Sequence, residues 1–327
     1  MSLVTPNPSP AQAALFAIAR NLTVARYPDF LFIGAMKSAT TTISEQLGVQ
    51  PGIFMVSDPK ELYFFSQNDV YEQGINWYTS HFEQVPQNEL CGEAATTYTQ
   101  IHSYPDAAKR LHQHLPDAKL IYLMRHPIDR LISHYMHEVT CRNITVDINT
   151  AIYKHPDLVK TSQYAMQLQA YFEYFDINQI MPSFFERLKS DSQAELERIC
   201  SFIGYNGKPE WDYELKAKNV SKERVIETPL ITFLTNSPLI QPIRQYLLPA
   251  SLKVWGREKF FPRIDERPQI NPEGMAYLKS VFDEDLALLG QWMGMPLSCD
   301  TFSSVVTSTD CTWNAPRPTA KTNISQS

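Results

Sequence analysis

Residues 37 to 42 read Lys-Ser-Ala-Thr-Thr-Thr, one cation followed by four hydroxyls. An ammonium supplies a point charge, hydroxyls donate to oxygens, and the N–H groups of a helix start favour an anion. Lys37, Ser38, Thr40, Thr41 and Thr42 therefore suit a phosphate or a sulfate ester. A second set of this kind is Arg125 with Ser133 eight residues on. An arginine fork and a hydroxyl can converge there on another phosphate. The third chemical group is Glu61, in the run PKELYFF. Pro59 before it and Leu62, Tyr63, Phe64 and Phe65 after it predict an apolar setting, which raises the basicity of a carboxylate and suits a general base. His81, His134 and His137 are the other candidate bases.

These groups need elements to position them. Phe30 to Ile33 has the length and composition of a parallel strand buried on both faces, and Gly34 allows a sharp turn before a helical pattern through Ile43, Glu45 and Leu47. Residues 119 to 135, KLIYLMRHPIDRLISHY, repeat that plan. An apolar strand over 119 to 124 ends at Arg125, Pro127 opens a helix, and Ser133 lies about two turns into it. A short helix over 105 to 116 feeds this strand, the order expected of a parallel α/β sheet. The segment 161 to 176 predicts a helix with an aromatic stripe, whose Tyr164, Tyr171 and Tyr174 are candidates to line an acceptor pocket. Residues 184 to 204 predict an amphipathic helix capped at Gly204, and 221 to 255 an irregular helical excursion.

The fold class is thus α/β, P-loop-like, with a central parallel sheet flanked by helices in a single domain with helical excursions. An N-terminal arm and helix are expected over 1–26, the domain over 27–297, and a flexible tail rich in Ser, Thr, Asn and Pro over 298–327. A nucleotide triphosphatase or P-loop kinase would need G-x-x-x-x-G-K-[ST], whereas Lys37 follows Gly34 by three residues with no second glycine. Taken alone, the first segment also suits a strand-turn-helix whose threonines only cap the helix. The second anion set shifts the balance toward a ligand with two anionic groups.

The ordered motifs GAMKSATTT, PKELYFF, GINWYTSHF, GEAATTY, LIYLMRHPIDRLISHY, SFFERLKSDSQAELERICSFIGY and GREKFFPRID, spread over about residues 27 to 297, resemble those of the sulfotransferases that use 3′-phosphoadenosine 5′-phosphosulfate (PAPS). The likeness is greatest to the branch holding heparan sulfate sulfotransferases and related bacterial enzymes. It implies that Lys37, Ser38, Ala39, Thr40, Thr41 and Thr42 hold the 5′-phosphosulfate, with Lys37 also stabilising charge on the bridging oxygen. It further implies that Arg125 and Ser133 grip the 3′-phosphate, that Lys259 and Arg257 assist from a late loop, and that Glu61 is the base. Lys60 is expected to orient sulfate or acceptor, and Glu93 and Tyr164 to face the acceptor. The implied reaction is an in-line displacement at sulfur without a covalent enzyme intermediate and without a required metal. Two departures stand out. Ala39 replaces a usual glycine, so either the backbone there avoids positive φ or the loop geometry differs. Phe260 follows Lys259 where the glycan-modifying members carry glycine, and the neighbouring cysteine pair is missing.

Composition bounds the setting. Twenty-nine basic against 35 acidic residues give a net charge of -6, which leaves no basic footprint for nucleic acid and argues against a long polyanionic acceptor. No apolar run approaches the ~18 residues of a membrane span. Five scattered cysteines and eight histidines lack metal-ligand spacing, and the odd cysteine count suits a reducing cytoplasm. The expected partner is a small neutral or cationic molecule, such as a hydroxylated or nitrogen-rich alkaloid. A glycan acceptor is the alternative, and a non-catalytic nucleotide-binding module a further one.

Overall fold

The computed structural model describes residues 25–215 and 267–314. Five parallel strands form one sheet in the order β2-β3-β1-β4-β5. They are β1 (Phe30–Gly34), β2 (Ile53–Met55), β3 (Leu90–Ala94), β4 (Lys119–Met124) and β5 (Ile180–Phe184). β1 is buried along its whole length, as an unbroken apolar run in a central strand requires. Pro182 cannot donate a ladder hydrogen bond, and it sits in β5, an edge strand paired only with β4.

Alternation along the strands divides the core in two. Phe30, Phe32, Ile121 and Leu123 point to the face covered by Ile43 and Leu47 of the Thr40–Gly48 helix and by Leu196 and Ile199 of the Ser192–Ile203 helix. Leu31, Ile33, Leu120 and Tyr122 point to the other face. There they meet Leu131 of the Pro127–Thr140 helix, Leu168 of the Tyr164–Phe172 helix and Leu286 of the Pro272–Met293 helix. The helix after β1 and the helix after β4 therefore leave adjacent strand ends on opposite sides of the sheet. In an open α/β sheet that divergence leaves a crevice beyond the carboxyl ends of the strands. At the end of β1, Gly34 has φ 154°, and a Cβ there would lie 2.0 Å from Thr99 Oγ1, whose hydroxyl donates to Ile33 O.

Several expectations change in detail. The predicted helix over 184–204 is two helices, Phe185–Ser190 and Ser192–Ile203, because Asp191 leaves helical geometry and its carboxylate caps the second at Ala194 N (3.0 Å). Gly204, at φ 86°, is the expected C-cap. The helix expected from 161 starts at Tyr164. Its first N–H groups are capped across the fold by Asp285, which accepts from Ala165 N and Met166 N. The packed body does not end at 297. Residues Phe302–Ser308 are helical, Phe302, Val306 and Cys311 are buried, and Phe302 meets Phe184 edge-on at 5.6 Å. Most of the N-terminal arm, the 221–255 excursion and the chain beyond 314 lie outside the described residues.

Phe302→Ala is expected to lower stability by about 3 kcal/mol, the cost of emptying a buried aromatic site. Urea unfolding measures it, and a loss below ~0.5 kcal/mol would return this segment to the tail.

Candidate active site

The crevice is a cavity of about 1210 Å³, lined by Lys37, Ala39, Thr40, Thr41, Thr42, Lys60, Glu61, Arg125 and Ser133 among others. Two sequence-distant anion sets and the predicted base thus share one space.

The loop after β1 is turned by positive φ at Lys37 (73°) and Ala39 (73°). Positive φ on either side of Ser38 curls the loop back on itself, and Ser38 N donates to Ala35 O at 3.2 Å. Ala39 occupies the N-cap position of the Thr40–Gly48 helix, and no side chain caps it. Of the two alternatives left open by the missing glycine, the first is excluded: the backbone keeps the positive φ and accepts alanine in it. Thr40, Thr41 and Thr42, which the capping alternative would have made helix caps, line the cavity. Ser38 is fully buried, and its hydroxyl has no hydrogen-bond partner among the described residues.

Arg125 leaves the end of β4 and donates from Nη1 to Lys37 O at 3.3 Å, which ties the second anion set to the first loop. Its guanidinium stacks over Phe185 at 4.6 Å, its Nε is buried without a partner among the described residues, and burial holds its pKa below the usual arginine value. Buried polar atoms ordinarily have partners, so Ser38 Oγ and Arg125 Nε mark places where a ligand's oxygens would complete the site. Ser133 is buried but borders the cavity.

The expected apolar setting of Glu61 is not found. A turn at Tyr63 (φ 56°) sends Leu62, Phe64 and Phe65 into the core and leaves Lys60, Glu61 and Tyr63 on the cavity. Glu61 Oε2 accepts from Thr96 N (3.0 Å) and Thr96 Oγ1 (3.1 Å), while Oε1 has only a 3.5 Å contact to that hydroxyl. The carboxylate is held by polar donors with one oxygen turned outward.

Two expected acceptor contacts are corrected. Glu93 is fully buried beneath β3, where Tyr78 OH donates to Oε2 (2.5 Å) and Tyr98 OH to Oε1 (2.7 Å), and burial pushes its carboxyl up to about 7. Tyr164 is also fully buried, its hydroxyl donating to Arg125 O. It supports the end of β4 rather than an acceptor, and the fully buried Tyr171 donates to Tyr98 O. Among the other candidate bases, His81 bonds the Trp77 carbonyl. His134 is buried, its Nδ1 accepts from Arg130, and burial pushes it down to about 4. His137 borders the cavity. Arg257 and Lys259 lie outside the described residues.

The sequence reading missed Thr96, Arg130, Glu138 and Asp157. Thr96 stands in GEAATTY, which was read only for Glu93. Arg130 lies one turn before His134 on the inward stripe of its helix, a position where arginine is normally replaced by an apolar residue. Glu138 and Asp157 border the cavity. His134 Nε2 (3.5 Å) and Asn143 Nδ2 (2.8 Å) face Glu138, and these bonds bring its carboxyl down to about 2. Among the described residues, no group of three or more His, Cys, Asp or Glu could hold a metal ion. No helix among them is long and apolar enough to cross a membrane.

A family model described as "Sulfotransferase domain" matches residues 27–230. Heparan sulfate glucosamine 3-O-sulfotransferase 6 of Homo sapiens is 27% identical over 187 residues, 55% of this chain and 53% of that protein. Bifunctional heparan sulfate N-deacetylase/N-sulfotransferase 4 of Mus musculus is 30% identical over 216 residues, 59% of this chain and 24% of that protein. The chain therefore spans about half of the first relative and a quarter of the second. Among solved structures, a sulfotransferase from Alicyclobacillus acidocaldarius shares the fold with a TM-score of 0.55 at 21% identity, over 82% of this chain and 96% of that one.

Alanine at left-handed φ is strained. Ala39→Gly is expected to raise stability by roughly 0.5–1 kcal/mol in urea unfolding, and an unchanged or lowered midpoint would contradict the assigned backbone. Glu93 gives a pH signature. Its folded value of about 7 lies above the ordinary 4.5, so its contribution is full below pH 4.5 and is lost as pH rises through 7. The loss is on the order of 3 kcal/mol. Glu93→Gln should flatten that part of the stability profile, and an unchanged slope would refute it.

Proposed function

The chain belongs to the sulfotransferase domain family, and from that premise we propose that it moves a sulfo group from PAPS to a hydroxyl, or to an amine or amide nitrogen, of a small polar acceptor. The observation that carries this reading is the shared cavity: the Lys37 loop, Arg125 with Ser133, and Glu61 all border it. Two anion sets suit a nucleotide with separate 5′ and 3′ anionic groups. The unpartnered Ser38 hydroxyl and Arg125 Nε fit such a ligand.

PAPS supplies an activated sulfur whose bridging oxygen leaves as phosphate when the acceptor's oxygen or nitrogen bonds to sulfur. The chain's residues do the rest. Glu61 Oε1, the oxygen less engaged by Thr96, takes the acceptor's proton. Lys37 and the N–H groups of its loop neutralise charge on the departing oxygen, and Thr40, Thr41 and Thr42 orient the phosphosulfate. Arg125 and Ser133 hold the 3′-phosphate, and Lys60 steers the transferred group. Beside that proton transfer, the enzyme contributes positioning and charge stabilisation, as in phosphoryl transfer.

The acceptor reading rests on charge. Glu138 is ~18 Å along its helix from the helix start near Arg125, and it lines the cavity with Glu61 and Asp157. A fourth lining carboxylate, Asp129, is paired with Arg267; the other three favour a neutral or cationic acceptor over a sulfated glycan, and natural-product biosynthesis, alkaloids included, is the setting that follows. The glycan alternative draws on the names of the relatives. Cys91, Cys200, Cys299 and Cys311 are buried thiols outside any disulfide, which supports a reducing cytoplasm.

Glu61→Gln is expected to cut sulfo transfer by roughly 10²–10⁴-fold while binding of adenosine 3′,5′-bisphosphate stays within about threefold. An acceptor screen with labelled PAPS, read by mass spectrometry for the added sulfo group, checks the activity. Full transfer by the variant would remove Glu61 from the chemistry, and transfer to sulfated glycans alone would overturn the acceptor reading.

A further inference from the structure

Arg130 sits on the inward face of the Pro127–Thr140 helix and is fully buried. Its Nε donates to Ser162 Oγ (2.5 Å), its Nη2 to Leu158 O (2.6 Å), and its Nη1 to Met36 O (3.3 Å) and His134 Nδ1 (3.3 Å). Four acceptors surround one cation, and none is a carboxylate. A charge removed from water with only neutral partners is costly, and buried cations normally face an anion. Burial accordingly lowers its pKa to about 10.

Its position says where the anion would be. Met36 precedes Lys37, whose carbonyl is held by Arg125. Two arginines thus draw consecutive carbonyl oxygens of the loop toward themselves, which fixes the path of the loop beside the cavity. The contact to His134 Nδ1 also fixes that imidazole as neutral, with Nε2 carrying the proton toward Glu138.

We propose that Arg130 is a positioning residue of the anion site whose buried charge is balanced by the bound nucleotide's phosphates rather than by a carboxylate of the described residues. This rests on the nucleotide reading above. It makes ligand binding the event that compensates a charge folded into the protein at a cost, so that affinity for the anion and economy of the ligand-free fold are opposed at one residue.

Calorimetric titration of adenosine 3′,5′-bisphosphate into the wild type, Arg130→Lys, Arg130→Gln and Arg130→Met tests this, with thermal midpoints of the ligand-free proteins measured in parallel. Both neutral variants are expected to fold and to bind at least tenfold more weakly. The lysine variant, which keeps the charge and loses the fork, should stay within about threefold of wild type. Equal affinity in all four proteins would overturn the proposal. So would a lysine variant as weak as the neutral ones, or a lysine variant that folds when both neutral ones do not, because the charge would then serve the fold. Failure of the wild type itself to bind would instead overturn the nucleotide reading.

Discussion

The register of β1 against β4 governs the rest of this site. Phe30 stands opposite Lys119, the register shifts by one residue between Phe32 and Gly34 so that Gly34 stands opposite Tyr122, and Ala35 N continues the ladder by donating to Leu123 O at 2.8 Å. The two strands therefore finish side by side, and the turn that follows each opens into the same crevice. Only in that arrangement can Arg125 reach the carbonyl of Lys37, a residue 88 positions earlier. A slip of one residue would move Arg125 by about 3.3 Å and turn its side chain to the opposite face of the sheet. The different side chains close-packed on the two faces of β1 and β4 oppose such a slip, so a packing constraint fixes an electrostatic one.

Around this register the loop is held in conformations it would not adopt alone. Lys37 and Ala39 both stand at positive φ, where a side chain costs roughly 1–2 kcal/mol. Such geometry persists only where the surroundings over-determine it. Arg125 and Arg130 bind the carbonyls of Lys37 and Met36, and Tyr164 in turn bonds both the N–H and the carbonyl of Arg125. Tyr164 is placed by a helix whose first N–H groups are capped by Asp285 from the long Pro272–Met293 helix. The support of the anion loop thus reaches through three elements, which is why residues far from the cavity belong to its mechanics.

What the sequence disclosed was what local chemistry encodes. The strand-turn-helix at 30–48 and its repeat at 119–140 were legible because apolar runs, a turn glycine and a helix-opening proline act over a few residues. Their meeting was legible because both elements carry candidate anion-binding residues at the same end. Partnerships made only by folding were not. Glu93 read as an acceptor contact because nothing nearby in the chain announces Tyr78 and Tyr98 as its donors. Glu61 read as apolar because its neighbours are, yet the turn at Tyr63 separates it from them. The segment after 297 looked flexible because its polar composition hides four anchors, Phe302, Val306, Cys311 and Trp313. The first three are buried, and Trp313 donates to Ile180 O at 2.5 Å.

The net charge of -6 and a site built of cations are compatible for a reason of range. At physiological ionic strength the screening length is about 8 Å, so an acidic surface 20 Å away contributes little to the potential inside the crevice. A single cation about 4 Å from an anion contributes about 4 kcal/mol at an effective dielectric near 20, and Lys37, Arg125 and Arg130 all act on one loop. The same screening lets one cavity carry two signs. Glu138 stays ionised through its bonds to His134 and Asn143, ~18 Å along the helix from the arginine end, too far to cancel the cations there. With Asp129 paired to Arg267, the arginine end of the Pro127–Thr140 helix and Glu138 near its other end act separately rather than being averaged over the protein. That separation lets one cavity present cations at one end and a carboxylate at the other without either cancelling the other.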